Sequence, residues 1–238
     1  MSDLRIALVA EGPTDYEVIQ AALRAVLPHP FMLTLLQPEV TLPAMGGGWG
    51  GVLKWCHAAG RRHTGSLDTD PTLAGFDLLI IHLDVDVAHK QYADCGPAVA
   101  DMAQSKGWGP LPCLRPCPPV LDTCMQLEGV LASWLNPATQ GEKTLWCLPA
   151  QSTGTWLAAA LLPADHALLA GAECNVALES QLALLPKNQR VKKSVLEYRR
   201  QAPAVSAEWA KVKQLCSQAQ AFEQALLTIM IQLQGRQV

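Results

Sequence analysis

Residues 4–10, LRIALVA, form a nearly continuous apolar run that stops at Glu11-Gly12-Pro13. That is the pattern of a buried parallel strand emptying into a tight loop. A helix is expected next. Thr14 with Glu17 fits a capping box, and Val18, Ile19, Ala22, Leu23 and Val26 recur at helical spacing until Pro28 and Pro30 end the pattern. Residues 31–36 read as a second strand, and the glycines at 46, 47, 48, 50 and 51 read as a loop leading into a helix over 52–63. After a polar break at 66–71, the run DLLIIHL at 77–83 is the clearest central strand, and it delivers Asp84-Val85-Asp86 at its C-terminal end. Ligands gather at that edge of a parallel sheet.

The alternation continues with a helix over 93–106, a weak strand at 111–114, a helix over 120–135 and a strand at 144–148. From residue 152 the pattern is mainly helical, with breaks at Pro163, Pro186 and Pro203 and a long last helix over 206–233. These elements predict an α/β fold: a Toprim or Rossmann-like, mostly parallel sheet of about four or five strands flanked by helices. The strands at 4–10 and 78–83 should be neighbours. The expected organisation is an α/β domain over residues 1–150 and a helical region over 151–238 packed on it.

At 50% hydrophobic and 16% charged residues the chain has enough apolar material for a packed core. Its start lacks the features of a secretory leader, and its most apolar stretches, 156–169 and 225–233, are short or interrupted by Pro163, Asp165 and His166. The expectation is a cytoplasmic protein with no membrane contact. In a reducing cytosol the eight cysteines are expected to be buried thiols. Cys113, Cys117 and Cys124 lack a second pair at zinc-finger spacing. Most of the seven tryptophans should belong to the core.

A net charge of −3 offers no global attraction to a polyanion, so contact with nucleic acid requires local basic surface. Lys187, Arg190, Lys192, Lys193, Arg199 and Arg200 supply a dense basic segment, and Arg61-Arg62-His63 a shorter one. The glycine loop lacks the Gly-Lys-Ser/Thr ending of a nucleotide-binding P-loop. It reads as a turn.

The chemistry concentrates in two places. Glu11 stands at a strand end where Gly12 permits a sharp turn, and Asp15 lies in the following first helical turn, where a carboxylate also satisfies free N–H groups. Asp84 and Asp86, at i and i+2 of an extended chain, would project to one side with Cα atoms about 7 Å apart. Carboxylates in this arrangement suit magnesium, which takes oxygen ligands and leaves positions for phosphate oxygens. His82 precedes Asp84 and could orient it. His89 follows the pair closely.

Ala10-Glu11-Gly12-Pro13-Thr14-Asp15 followed by His82-Leu83-Asp84-Val85-Asp86 resembles the Toprim pattern of primases, topoisomerases and overcoming-lysogenization-defect nucleases. The motif pair covers roughly the first 90 residues. Gly46-Gly47-Gly48-Trp49, Gln151-Ser152 with Trp156, and the segment 186–199 further resemble small stand-alone Toprim-like proteins. The resemblance implies a magnesium-dependent nuclease or other phosphodiester-processing protein of mobile-element or phage defence, with manganese as a substitute ion. In it Glu11, Asp84 and Asp86 are catalytic and metal-binding residues, supported by Gly12, Asp15 and His82. From their charge, and not from the motif, Lys187, Arg190, Lys192 and Lys193 are expected to contact phosphate. One departure stands out: Gly154-Thr155 precedes Trp156 where such proteins often carry a glutamate.

Two alternatives compete. The first is a non-catalytic metal- or nucleic-acid-binding regulatory subunit of a separately encoded ATPase partner. The second is a haloacid-dehalogenase-like phosphatase with Asp84 as nucleophile and Asp86 as acid/base.

Overall fold

The computed structural model describes residues 3–39, 46–187 and 189–235. Four parallel strands build the main sheet: β1 (Leu4–Val9), β2 (Phe31–Gln37), β4 (Leu78–His82) and β6 (Thr144–Cys147), in the order β2-β1-β4-β6. Two short strands, β3 (Gly65–Ser66) and β5 (Ala138–Thr139), pair separately. β1 and β4 are neighbours as expected, with Ile6 opposite Leu78 and Val9 opposite Ile81. Their C-terminal ends therefore lie side by side.

The sheet is buried on both faces, which is why its strands read as continuous apolar runs rather than as alternating ones. Period-two geometry still divides the side chains. Ile6, Leu8, Leu78, Ile80, Leu145 and Cys147 enter one core, with α1 (Pro13–Val26), α5 (Thr153–Leu161) and the C-terminal helices. Ala7, Val9, Leu79 and Ile81 enter the other, with α2 (Gly48–Arg62) and α4 (Leu121–Leu135). A further helix, α3 (Pro97–Lys106), follows β4 on that second side.

The C-terminal region shares the first core instead of building one of its own. Trp156, Tyr198, Val205, Trp209, Val212, Phe222 and Leu226 pack in the same cluster as Val18, Ile19 and Leu23. Its helices are α6 (Leu178–Leu184), α7 (Val195–Gln201), α8 (Pro203–Ala207), α9 (Trp209–Leu215) and α10 (Ser217–Gly235). The expected single helix over 206–233 is thus broken near Glu208 and again at Cys216, where the backbone becomes extended. Both breaks let the chain bend so that Trp209 and Phe222 each reach Trp156. Burying those rings outweighs the few hydrogen bonds lost at each break.

Three other local expectations are corrected. The cap of α1 is Gly12, not Thr14, because Pro13 needs no N–H partner and has its φ preset for the first helical position. Asp15 completes that cap by accepting from the Gly12 N–H at 2.9 Å, while Glu17 is bound to Arg199. Residues 111–114 form no strand: prolines at 110, 112, 116, 118 and 119 remove the donors a ladder needs, and the segment is held instead by Cys113 N–H donating to the Ala88 carbonyl at 2.9 Å. Finally, Cys117 and Cys174 are joined in a disulfide, whereas Cys56, Cys95, Cys113, Cys124, Cys147 and Cys216 are free thiols. Among the described residues no helix is long and apolar enough to cross a membrane. Six of the seven tryptophans are buried and Trp146 is partly so.

Candidate functional site

The C-terminal edge of the sheet gathers acidic groups from three segments. Glu11 leaves the end of β1, and its Oε1 accepts from the Asp84 N–H at 2.8 Å, so the two strand ends are tied together directly. Asp84 follows β4 and is 4% exposed. Its Oδ1 faces His82 Nε2 at 3.0 Å and accepts from the Thr153 N–H at 3.2 Å. Asp15 is buried beside them, receiving the Gly12 N–H on one oxygen and the Thr153 hydroxyl, at 2.7 Å, on the other.

The first turn of α5 explains why Thr153 bonds to both acids. Ser152 caps the helix through the Gly154 N–H, and the free N–H groups and positive dipole end of α5 point toward negative charge. This donor set was missed by sequence reasoning, although the serine before an apolar run was its visible signal.

Burial dominates the electrostatics. It pushes the Glu11 carboxyl well above its usual range, and the neighbouring Asp84 charge adds to the effect. The same holds for Asp84, where burial comes first and Asp15 second. Asp86 is also raised by burial, though Lys90 and Lys193 partly offset this. Carboxyls so placed gain from any bound cation, which removes the like-charge repulsion.

Asp86 is presented differently from expectation. The chain turns into a 3₁₀ segment, Val85–His89, directly after Asp84, so Asp84-Val85-Asp86 is not extended and the alternation argument for a shared face does not apply. Asp86 donates its N–H to the Gln151 carbonyl at 3.1 Å. Gln151 itself has φ of +60°, a left-handed conformation uncommon for a residue with a side chain.

Among the described residues, Asp15, His82 and Asp84 form a group that could hold a metal ion, their donor atoms all lying within 4.8 Å of one another. Glu11 touches this set through Asp84, and Asp86 stands at its margin. The set fits a divalent cation: an ionised carboxylate has about four acceptor sites, so the internal hydrogen bonds leave capacity for a metal. His82 is fully buried, and its Nδ1 has no hydrogen-bond partner.

The basic segment divides. Lys187, Arg190, Lys192 and Lys193 are all exposed between α6 and α7, but Lys193 pairs with Glu179 and its charge acts on both Asp84 and Asp86. Partial burial opposes the Lys193 charge, but the Glu179 carboxylate, 2.8 Å away, outweighs it and holds the ammonium above the usual lysine range. Glu179 also accepts from the Tyr198 hydroxyl at 2.9 Å.

Glu179 is the acidic residue that no sequence pattern indicated. It occupies the space above Gly154: a Cβ on residue 154 would lie 2.5 Å from Glu179 Cγ and closer still to Oε1. The glycine found where an acid was expected therefore makes room for a carboxylate delivered from α6. No family model matches the chain, and neither a curated protein nor a solved structure matches it.

Proposed function

We propose that the protein is a divalent-cation-dependent phosphodiester-processing protein, with nucleic-acid cleavage as its reaction. The observation that carries this reading is the convergence of Asp15, His82 and Asp84, with Glu11 tied to Asp84, at the C-terminal edge of neighbouring parallel strands, beside a Lys193 ammonium whose charge acts on Asp84. Carboxylates that repel one another are suited to a hard cation such as magnesium or manganese, and a cation with a lysine beside it is suited to the charge of a phosphoryl group. A bound metal would supply charge stabilisation and an activated water. The chain's own part is to hold that ion with Asp15, His82 and Asp84, to fix Asp84 in place through Glu11 and Thr153, and to place Lys193 against a phosphate oxygen. Asp86, whose charge acts on Asp84, would serve as a further ligand or proton acceptor.

The test incubates the purified protein with single- and double-stranded DNA and RNA in MgCl2 or MnCl2, alongside Glu11→Gln and Asp84→Asn. Metal-dependent cleavage lost in both variants supports the reading. Intact substrate in every condition refutes it.

A second reading is a binding subunit that holds metal or nucleic acid, beside an ATPase partner, without cutting. What favours it is the self-satisfaction of the pocket: Asp15 and Asp84 already accept hydrogen bonds from Gly12, Thr153 and the His82 side. Nucleic-acid binding without turnover in the same assay selects it.

A further inference from the structure

The Cys117–Cys174 disulfide closes a ring of contacts on which Asp86 sits. Starting from Asp86, its N–H donates to the Gln151 carbonyl at 3.1 Å. The Gln151 side-chain amide donates through Nε2 to the Glu173 carbonyl at 3.0 Å. Glu173 is bonded to Cys174 in the turn Ala172–Cys174, and the disulfide crosses from there to Cys117 in the proline-rich segment. That segment returns through the Cys113 N–H to the Ala88 carbonyl at 2.9 Å, in the same 3₁₀ turn that carries Asp86. Every link in the ring is a main-chain hydrogen bond, a buried amide or a covalent bond.

Three features make this ring a control element as well as a staple. Gln151, its middle link, is held in a left-handed conformation that a residue with a side chain adopts only when its surroundings impose it. Its Oε1 is buried without a partner, so the Nε2 bond to Glu173 is the polar contact that secures the side chain. And both disulfide cysteines are partly exposed, whereas five of the six free thiols are buried and Cys95 alone is intermediate. The bridge is the cysteine pair that a solution dithiol can reach.

We propose that the Cys117–Cys174 pair is a thiol–disulfide switch that sets the position of Asp86, and with it the cation affinity of the acidic pocket. Exchange with a dithiol breaks the S–S bond, yields two protein thiols and converts the dithiol to its cyclic disulfide, so two electrons and two protons pass to the protein. Once the bond is open, the proline-rich segment is released from the turn at Ala172–Cys174, which stays tied to α10 through the bonds of Ser217 and Gln218 to the Glu173 carboxylate. The 3₁₀ turn over 85–89, held to that segment through Cys113 and Ala88, then moves with it, and the Asp86 N–H leaves the Gln151 carbonyl. The metal part of this inference rests on the cation site proposed above; the mechanical part does not.

The experiment compares air-oxidised wild type, wild type treated with dithiothreitol, and Cys117→Ser/Cys174→Ser. Denatured thiol titration should give six thiols before reduction and eight after. Amide hydrogen exchange, read at labelling times too short for global unfolding on peptides spanning residues 84–90 and 150–152, should quicken about tenfold on reduction while peptides from β1 and β4 stay protected at those times. Titration with MnCl2 should show affinity weakened about tenfold, within the range usual for coupled sites. The double variant should match the reduced protein in both readouts and ignore dithiothreitol, and reoxidation of the wild type should restore the first state.

Eight thiols in air-oxidised protein would overturn the proposal. So would identical exchange at 84–90 in the two redox states, or exchange quickened equally across β1 and β4 at those short labelling times, which would make the bridge a global staple only. If manganese binds in neither state but exchange at 84–90 still responds, the switch stands and the cation reading falls. If manganese binds equally in both states, the cation site stands and the switch falls.

Discussion

Gly154→Ala offers a sharp test of how Glu179 is seated. The added methyl would meet Glu179 at 2.5 Å from Cγ and 2.8 Å from Cδ, well inside ordinary contact, so one of two things must give. If the carboxylate stays, the overpacking costs about 1–3 kcal/mol. If it swings out, the buried Tyr198 hydroxyl, in a residue 1% exposed, loses its acceptor at a cost of roughly 1–3 kcal/mol, and Lys193 loses its partner. Against this, alanine in a helical position stabilises by up to about 1 kcal/mol relative to glycine. The net is a loss of about 1–2 kcal/mol, which for a chain of this size lowers Tm by roughly 2–8 °C. Thermal unfolding followed by circular dichroism measures it. Glu179→Ala removes the obstacle, so adding Gly154→Ala to that background should cost nothing or stabilise slightly, a coupling of about 1–3 kcal/mol in the double-mutant cycle. A Gly154→Ala protein that melts at or above the wild type, or an equal loss in both backgrounds, refutes the steric argument.

Other expectations follow from the same contacts. Glu11 and Asp84 have carboxyls raised above their unfolded values, so the folded state binds more protons and, without metal, their contribution to stability falls as pH rises from the unfolded carboxylate range toward neutrality. Melting of the metal-free protein at pH 5 and pH 7.5 should show it, and MgCl2 or MnCl2 should raise Tm more at the higher pH; a metal response that is equal at both refutes the assignment. Lys193→Ala should weaken binding to a single-stranded oligonucleotide more than Lys187→Ala or Lys192→Ala, because the Lys193 charge acts on Asp84 and Asp86, and fluorescence anisotropy across a salt series reads the difference. The disulfide closes a loop of 57 residues, which in the chain-entropy account is worth about 4 kcal/mol, so Cys117→Ser/Cys174→Ser should melt roughly 8–16 °C lower while remaining folded at 25 °C. An unchanged Tm would show that the bridge does not constrain the unfolded chain.

The sequence by itself determined the sheet. Continuous apolar runs at 4–10 and 77–83 can be stable only if covered on both faces, and residues that end such runs must emerge at one edge. Hence Glu11 and Asp84 were legible as neighbours before any coordinates, as were Gly12 at the turn and the burial of most tryptophans. Local chemistry also fixed much of the helix placement, because proline and capping residues act within one or two turns of themselves.

What only the tertiary structure decided depends on contacts distant along the chain. Asp15 and Thr153 meet across 138 positions, Glu11 and the Asp84 N–H across 73, and no periodicity encodes such pairings. Nor does a pattern reveal that Glu179 fills the gap above Gly154, that Lys193 pairs with Glu179, or that Cys117 and Cys174 meet. The conformation of Asp84-Val85-Asp86 belongs to the same class: the dipeptide pattern fits an extended chain, but the turn after β4 is fixed by the Gln151 carbonyl and the proline-rich segment on either side of it. Hydrophobic pattern selects which surfaces are buried. Which polar groups then face one another is settled by how the packed elements are oriented, and that is where the site's chemistry is decided.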